Sequence, residues 1–139
     1  MSYHLYFWKE VFPSGLEPGV LCDLVCEHEE PEGMARLSVS RLKTLFNEAF
    51  PGIQDHGPQL VWEEGDDGFE VAWPFVPTST ETFAFSVNCA DGLLRDRGAV
   101  DRIIAIAGRL GCALYDPQVE RQYILADALE ARAATYSTV

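Results

Sequence analysis

Three short runs in the middle of the chain, PQLVWEEG, FEVAWPFV and ETFAFSVNC, constrain the fold more than any other feature. Phe83, Phe85 and Val87 alternate with Thr82, Ala84 and Ser86, a period of two that turns one side of a strand to a core and the other away from it. Turn-forming clusters, EGDDG and PTST, separate the runs, so the segment predicts a meander of three antiparallel strands. Pro74 lies inside the second run. It has no N–H to give to a ladder, which predicts a bulge or an edge position there.

On both sides of the meander the apolar period lengthens. In SVSRLKTLFNEAFPG, Val39, Leu42, Leu45, Phe46, Ala49 and Phe50 recur at helical spacing, with Ser38 placed to cap the start and Pro51-Gly52 the stop. In RGAVDRIIAIAGRLGC, Val100, Ile103, Ile104, Ala107 and Leu110 share one face, Asp101, Arg102 and Arg109 lie elsewhere, and Gly111 is the natural C-cap. A shorter helix is expected after Pro18, with Val20, Leu21, Leu24 and Val25 apolar, ended by the loop EHEEPEG. The aromatic-rich opening YHLYFWKEVF reads as a first strand, CALYD as a late one and RQYIL as a further one.

The order β-α-α-β-β-β-α-β predicts an α+β two-layer sandwich, a mostly antiparallel sheet with helices on one face. The 139 residues fit one domain, 1–139, whose tail over about 127–139 is expected to fray. Hydrophobic residues make up 47% of the chain, enough to separate it from acidic disordered sequences. Charge narrows the partners. With 22 acidic against 10 basic residues and a net of -12, the field repels nucleic-acid backbones and anionic membrane surfaces and attracts a basic protein. No apolar run is long enough to span a bilayer, and the N-terminus shows no secretory pattern, so a cytoplasmic protein is expected.

Neither a G-x-G-x-x-G nor a P-loop pattern occurs, and no cofactor is expected. His4, His28 and His56 are far apart in sequence, and no nucleophile or zinc-protease motif accompanies them. Cys22, Cys26 and His28 have the spacing C-x3-C-x-H, which matches no common zinc-ligand pattern and lacks a second Cys/His pair, so no metal is expected. Trp8, Trp62 and Trp73 all lie in strand-like runs and are expected to pack on the core or a sheet face. The acidic clusters Glu27, Glu29, Glu30, Glu32 and Glu63, Glu64, Asp66, Asp67 fall in loops bounded by Gly or Pro. These loops read as solvated faces suited to steering a basic partner, and together with exposed aromatics they are expected to cover that partner's site. In LYDPQ, Pro117 forces Asp116 towards extended geometry, and the Asp side chain can accept from amides just beyond it. Tyr115, Asp116, Pro117 and Gln118 therefore predict a pinned strand exit.

The opening MSYHLYFWKE, the helix end LFNEAFPG and the closing IIAIAGRLGCALYDPQ resemble a large group of small bacterial proteins of unknown biochemical function. Members of that group start like S-Y-D-L-x-x-W and carry, roughly a hundred residues later, a helix, a Gly turn and a strand ending in Y/F-D-P-Q. This chain has His4 where the group commonly has Asp. Small acidic proteins of this kind are similar to the immunity proteins of bacterial polymorphic-toxin, contact-dependent and type VI secretion systems. The resemblance implies a non-enzymatic protein, monomer or homodimer, that neutralises a cognate toxin or effector by binding it. The readings set beside it are an adaptor or chaperone of a secretion system and a small hydrolase using Asp116 with a histidine.

Cysteine placement gives a first test. Cys22, Cys26, Cys89 and Cys112 lack the dense spacing of a disulfide scaffold and sit mostly in apolar segments, so all four are expected reduced. Titration of freshly purified protein under denaturing, non-reducing conditions should find four free thiols; a smaller number contradicts the assignment.

Overall fold

The computed structural model describes residues 3–11, 15–64, 67–74, 80–90, 93, 97–118 and 120–123. The expected meander is formed by β4 (Gln59–Glu64), β5 (Asp67–Ala72) and β7 (Ala84–Cys89). Around it lie β1 (Tyr3–Trp8), β3 (Gln54–Asp55), β8 (Ala113–Asp116) and β9 (Arg121–Tyr123), giving a seven-stranded sheet of order β3-β4-β5-β7-β1-β8-β9. Every pairing in it is antiparallel. A separate ribbon joins β2 (Leu37–Ser38) to β6 (Glu81–Thr82). The class is α+β. The segment expected to fray lies outside the described residues. Pro74 follows the end of β5, so it interrupts no ladder and the expected bulge is not needed.

Helices α2 (Val39–Ala49) and α3 (Arg97–Leu110) cover one face of the sheet. Ser38 caps α2 as expected, its Oγ accepting from the N–H of Arg41 at 3.2 Å. Leu42, Leu45 and Phe46 from α2, with Val100, Ile103, Ile106 and Ala107 from α3, meet Leu5, Phe7, Leu60, Phe69, Val71 and Phe85 of the sheet. Phe7 stacks on Phe85 at 4.6 Å between centroids, and Phe46 meets Phe85 edge-on at 6.1 Å. Burial of each such ring contributes about 1.5–3 kcal/mol. Arg102 ties the helices together: its Nη1 donates to the carbonyl of Ala49 at 2.6 Å and its guanidinium lies 4.2 Å from the Phe50 ring centroid. That contact places a cation at the C-terminal end of α2, where the helix dipole favours one.

Helix α1 (Pro18–Cys26) departs from the expected plan, because it packs on the opposite face of the sheet. Leu21, Cys22 and Val25 bury against Trp8, Phe83, Ala84 and Tyr115. The apolar face is therefore Leu21, Cys22 and Val25, whereas Val20 is 45% exposed. Trp8 supplies the reason for this second layer. It is fully buried and sits tilted against Tyr115 on the side of β1 away from α2 and α3.

Two glycines are fixed by geometry. Gly111 ends α3 at φ +72°, as the C-cap reading expects. Gly68 lies so close to its partner strand that a Cβ would fall 2.4 Å from the carbonyl oxygen of Trp62. All four cysteines are unpaired; Cys22, Cys89 and Cys112 are buried and Cys26 is exposed. Burial pushes the Cys89 and Cys112 thiols up to about 12.

The end of α1 holds an unusual residue. The amide of Glu29 donates to the carbonyl of Leu24 at 2.8 Å and that of His28 to Val25 at 3.0 Å, the paired bonds of a Schellman turn. The left-handed position that glycine normally takes there is filled by His28 at φ 59°. A side chain in that conformation costs about 1–2 kcal/mol, and glycine would return about 0.5–1 kcal/mol as extra freedom of the unfolded chain. His28→Gly is therefore expected to raise stability by up to about 1 kcal/mol in denaturant unfolding; a less stable variant would show that the imidazole makes contacts worth more than its strain.

Candidate functional site

Alternation along β4 and β5 sends Leu60, Trp62, Phe69 and Val71 to the core under α2 and α3, so Val61, Glu63, Glu70 and Ala72 project from the opposite face. That is the face on which α1 sits. Strand register aligns Val61, Glu70, Asn88 and His4 in one row across it, and Ala72, Ser86, Tyr6 and Tyr115 in another. Helix α1 covers the Tyr6 and Tyr115 end. Beyond it Glu63 and Glu70 are exposed, and Asn88 Oδ1 is buried with no hydrogen-bond partner.

Carboxylates from both acidic clusters border this face, although Glu64 has the parity of Leu60 and Trp62 and projects to the other side. Glu27, Glu29, Glu30 and Glu32 are all exposed in the loop that leaves α1. Glu30 forms an ion pair with Arg36 at 2.9 Å, and Val11 and Lys9 anchor the loop's far end through backbone bonds to Gly33 and Ala35 at 2.6 and 2.7 Å. Glu63 and Glu64 are exposed at the β4–β5 hairpin end, where Glu64 stands opposite Asp67. Asp66 lies outside the described residues. The hairpin end is five residues along β5 from Ala72, about 17 Å.

The other charges lie elsewhere. By sequence α2 and α3 hold Arg41, Lys43, Arg97, Arg102 and Arg109 against only Glu48 and Asp101, so half of the 10 basic residues belong to the layer behind the sheet.

A cavity of about 200 Å³ opens between the C-terminal end of α1 and the sheet, lined by Tyr6, Val25, Cys26, His28, Ala72 and Ser86 among others. The side chains of Tyr6 and Cys22 both lie close enough to Cys26 to interact with it. Desolvation, and then the neighbouring Cys26, raise the Tyr6 phenol and push the Cys22 thiol up to about 12. Both groups are therefore neutral hydrogen-bonding partners near pH 7 rather than ready nucleophiles. Among the described residues no group of three or more His, Cys, Asp or Glu side chains converges to hold a metal ion.

The LYDPQ segment lies at the other end of β1. Asp116 is 1% exposed. Its Oδ2 accepts from the Tyr3 hydroxyl, while its Oδ1 accepts from the Gln118 amide N–H at 3.0 Å and from Gln118 Nε2 at 2.6 Å. Gln118 in turn brackets the backbone of His4, accepting from its N–H at 3.0 Å and donating to its carbonyl at 2.8 Å. Asp116 and Gln118 thus fasten the exit of β8 to the start of β1, with His4 entering through its backbone. Tyr115 is buried against Trp8, and burial raises its phenol.

A larger groove of about 500 Å³ runs along α2, lined by Ser40, Lys43, Thr44, Asn47, Trp73 and Pro74 among others. Lys43 is already bonded to Asp55 at 3.0 Å and lies 5.7 Å from the Trp73 ring centroid. The carboxyl of Asp55 is held below its usual range, first by the Gly57 amide and then by Lys43. This arrangement neutralises the groove's cation and gives an anion little reason to enter.

The reading of exposed aromatics as anchors for a partner is corrected. Among residues whose side chains are described, every aromatic is buried or half-buried, and the exposed large apolar residues are Val11, Leu16 and Val20. The aromatic rings were recruited by the two cores. Sequence spacing did not reveal the cavity beside Cys26, whose walls come from four separate segments; the only local sign was the pair Cys22 and Cys26 one turn apart.

Replacing Asp116 by Ala removes acceptors for three donors, at a cost of about 1–3 kcal/mol for buried groups left unpaired. The expected outcome is a clear drop in melting temperature, larger in effect than any loss of function in the folded fraction. A folded variant with unchanged melting temperature and lost function would assign Asp116 a direct role. Compared with protein-family models, with curated proteins and with solved structures, the chain matches none.

Proposed function

We propose that this protein is a cytoplasmic immunity protein that binds and neutralises a cognate bacterial toxin or effector with a basic surface. One observation carries the reading: Glu63 and Glu70 project from the side of the sheet away from α2 and α3, the side on which α1 packs and from which the exposed Glu27, Glu29, Glu30 and Glu32 leave it. Among the described residues no helix is long and apolar enough to cross a membrane. A face of this charge accelerates encounter with a cationic surface, while affinity comes from a few desolvated contacts near its centre. Val61, Ala72 and the half-buried Ser86 and Asn88 offer such a centre between the acidic ends. A toxin whose substrate is a nucleic acid would present the same basic groove to this face as to its substrate backbone.

The test changes Glu27, Glu29, Glu63 and Glu64 to lysine, leaving Glu30 with Arg36. Association with the toxin domain encoded beside this protein should slow by about tenfold or more at low salt and lose most of its salt dependence, with a smaller change in dissociation. Unaltered kinetics would remove the acidic face from the mechanism. Failure of the wild type to bind that domain, or to protect cells expressing it, would remove the immunity reading. Binding without loss of toxin activity would identify an adaptor instead.

A further inference from the structure

We propose that Cys22 and Cys26 form a two-thiolate site for a soft thiophilic centre, of the chemical kind that a monosubstituted arsenic(III) group supplies. The pair sits at positions i and i+4 of α1, on neighbouring turns of one helix face, and the two thiols interact closely enough that Cys26 raises the Cys22 thiol. Cys26 is the last residue of the helix, exposed at the cavity beneath it, while Cys22 is 6% exposed one turn inward. A ligand therefore meets Cys26 first and closes onto Cys22.

Geometry selects the occupant. Cβ atoms four residues apart on a helix stand about 5–6 Å from each other. A disulfide needs about 3.5–4.5 Å, so this pair cannot oxidise to one without unwinding the turn. A soft centre bonded to each sulfur at about 2.3 Å spans sulfurs up to about 4.6 Å apart, a separation that side chains on neighbouring turns of one helix face can reach by rotation about χ1. Zinc is disfavoured for a separate reason. It takes four ligands, and among the described residues no third His, Cys, Asp or Glu side chain joins the pair in a metal-binding group. An arsenic(III) that already carries one carbon substituent needs two thiolates only. In the binding step two S–H bonds break and two S–As bonds form, and the arsenoxide oxygen leaves with both protons as water. No electron changes hands. The buried walls given by Val25 and Tyr6 then shield the adduct from competing monothiols.

The experiment adds phenylarsine oxide to the reduced, folded protein in the presence of excess glutathione, with native mass spectrometry as the readout and tryptophan fluorescence to report the fold. One phenylarsenic group per chain should be retained with loss of one water and released by ethanedithiol. Peptide mapping after iodoacetamide should show Cys26 and Cys22 protected. Cys26→Ser, at an exposed position, should fold normally and bind about 100-fold more weakly, since it loses the second thiol held at high effective concentration. Zinc at equal concentration should not displace the arsenical. No retained adduct, an adduct mapped to Cys89 or Cys112, adduct formation only on unfolding, displacement by zinc, or unchanged affinity in Cys26→Ser would each overturn the proposal.

Discussion

The rest of the structure depends on β1 lying at the middle of the sheet, between β7 and β8. One face of this strand stacks Phe7 on Phe85 beneath α2 and α3, and the other buries Trp8 against Tyr115 beneath α1. A single six-residue strand therefore belongs to both cores. Asp116 and Gln118 fasten its first residues to β8, so the LYDPQ turn fixes the register of the strand that both layers share. A slip of one residue would exchange Leu5 and Phe7 for His4 and Tyr6 in the core.

What could be read from the residues was what local periodicity encodes. Ser38, Gly111 and the apolar spacing of α2 and α3 marked two helices whose positions the structure reproduces, and the alternation around Phe85 marked the meander. Which face a helix covers is not a local property, so the place of α1 could not be read. It follows from Trp8 and Tyr115, which lie far apart in the chain and meet only because β1 and β8 pair. Strands β2, β3 and β6 have two residues each, too few to show a period. The stop of α1 at the loop EHEEPEG was legible, but the form of its last turn was not, because a histidine stands where the pattern leads one to look for glycine. At the candidate site, the acidic loops were visible as composition, but their common face depends on strand parity at Glu63 and Glu70, which needs the register of β4 and β5.

Charge and chemistry are divided between different parts of the same face. The acidic ends act at long range and are screened by salt, whereas the cavity beside Cys26 acts only on what reaches it. Its phenol and buried thiol are held neutral by desolvation, which disfavours spontaneous reactivity but leaves the sulfurs open to a ligand that can displace their protons. The strained His28 stands on the rim of that cavity. Strain of this kind persists where surrounding contacts hold it.

The central place of β1 also sets the order in which the chain can fold during its synthesis. Trp8 pairs with Ala84, 76 positions later, and with Ala113, 105 positions later. At about 5–20 residues per second the ribosome needs several seconds to produce the first of these partners and longer for the second. Throughout that interval the aromatic strand Tyr3–Trp8 has no sheet to join. Until then the apolar residues Leu5, Phe7 and Trp8 lack the strands that bury them, and an unpaired aromatic strand of this kind is the part of a chain most prone to pair with another copy.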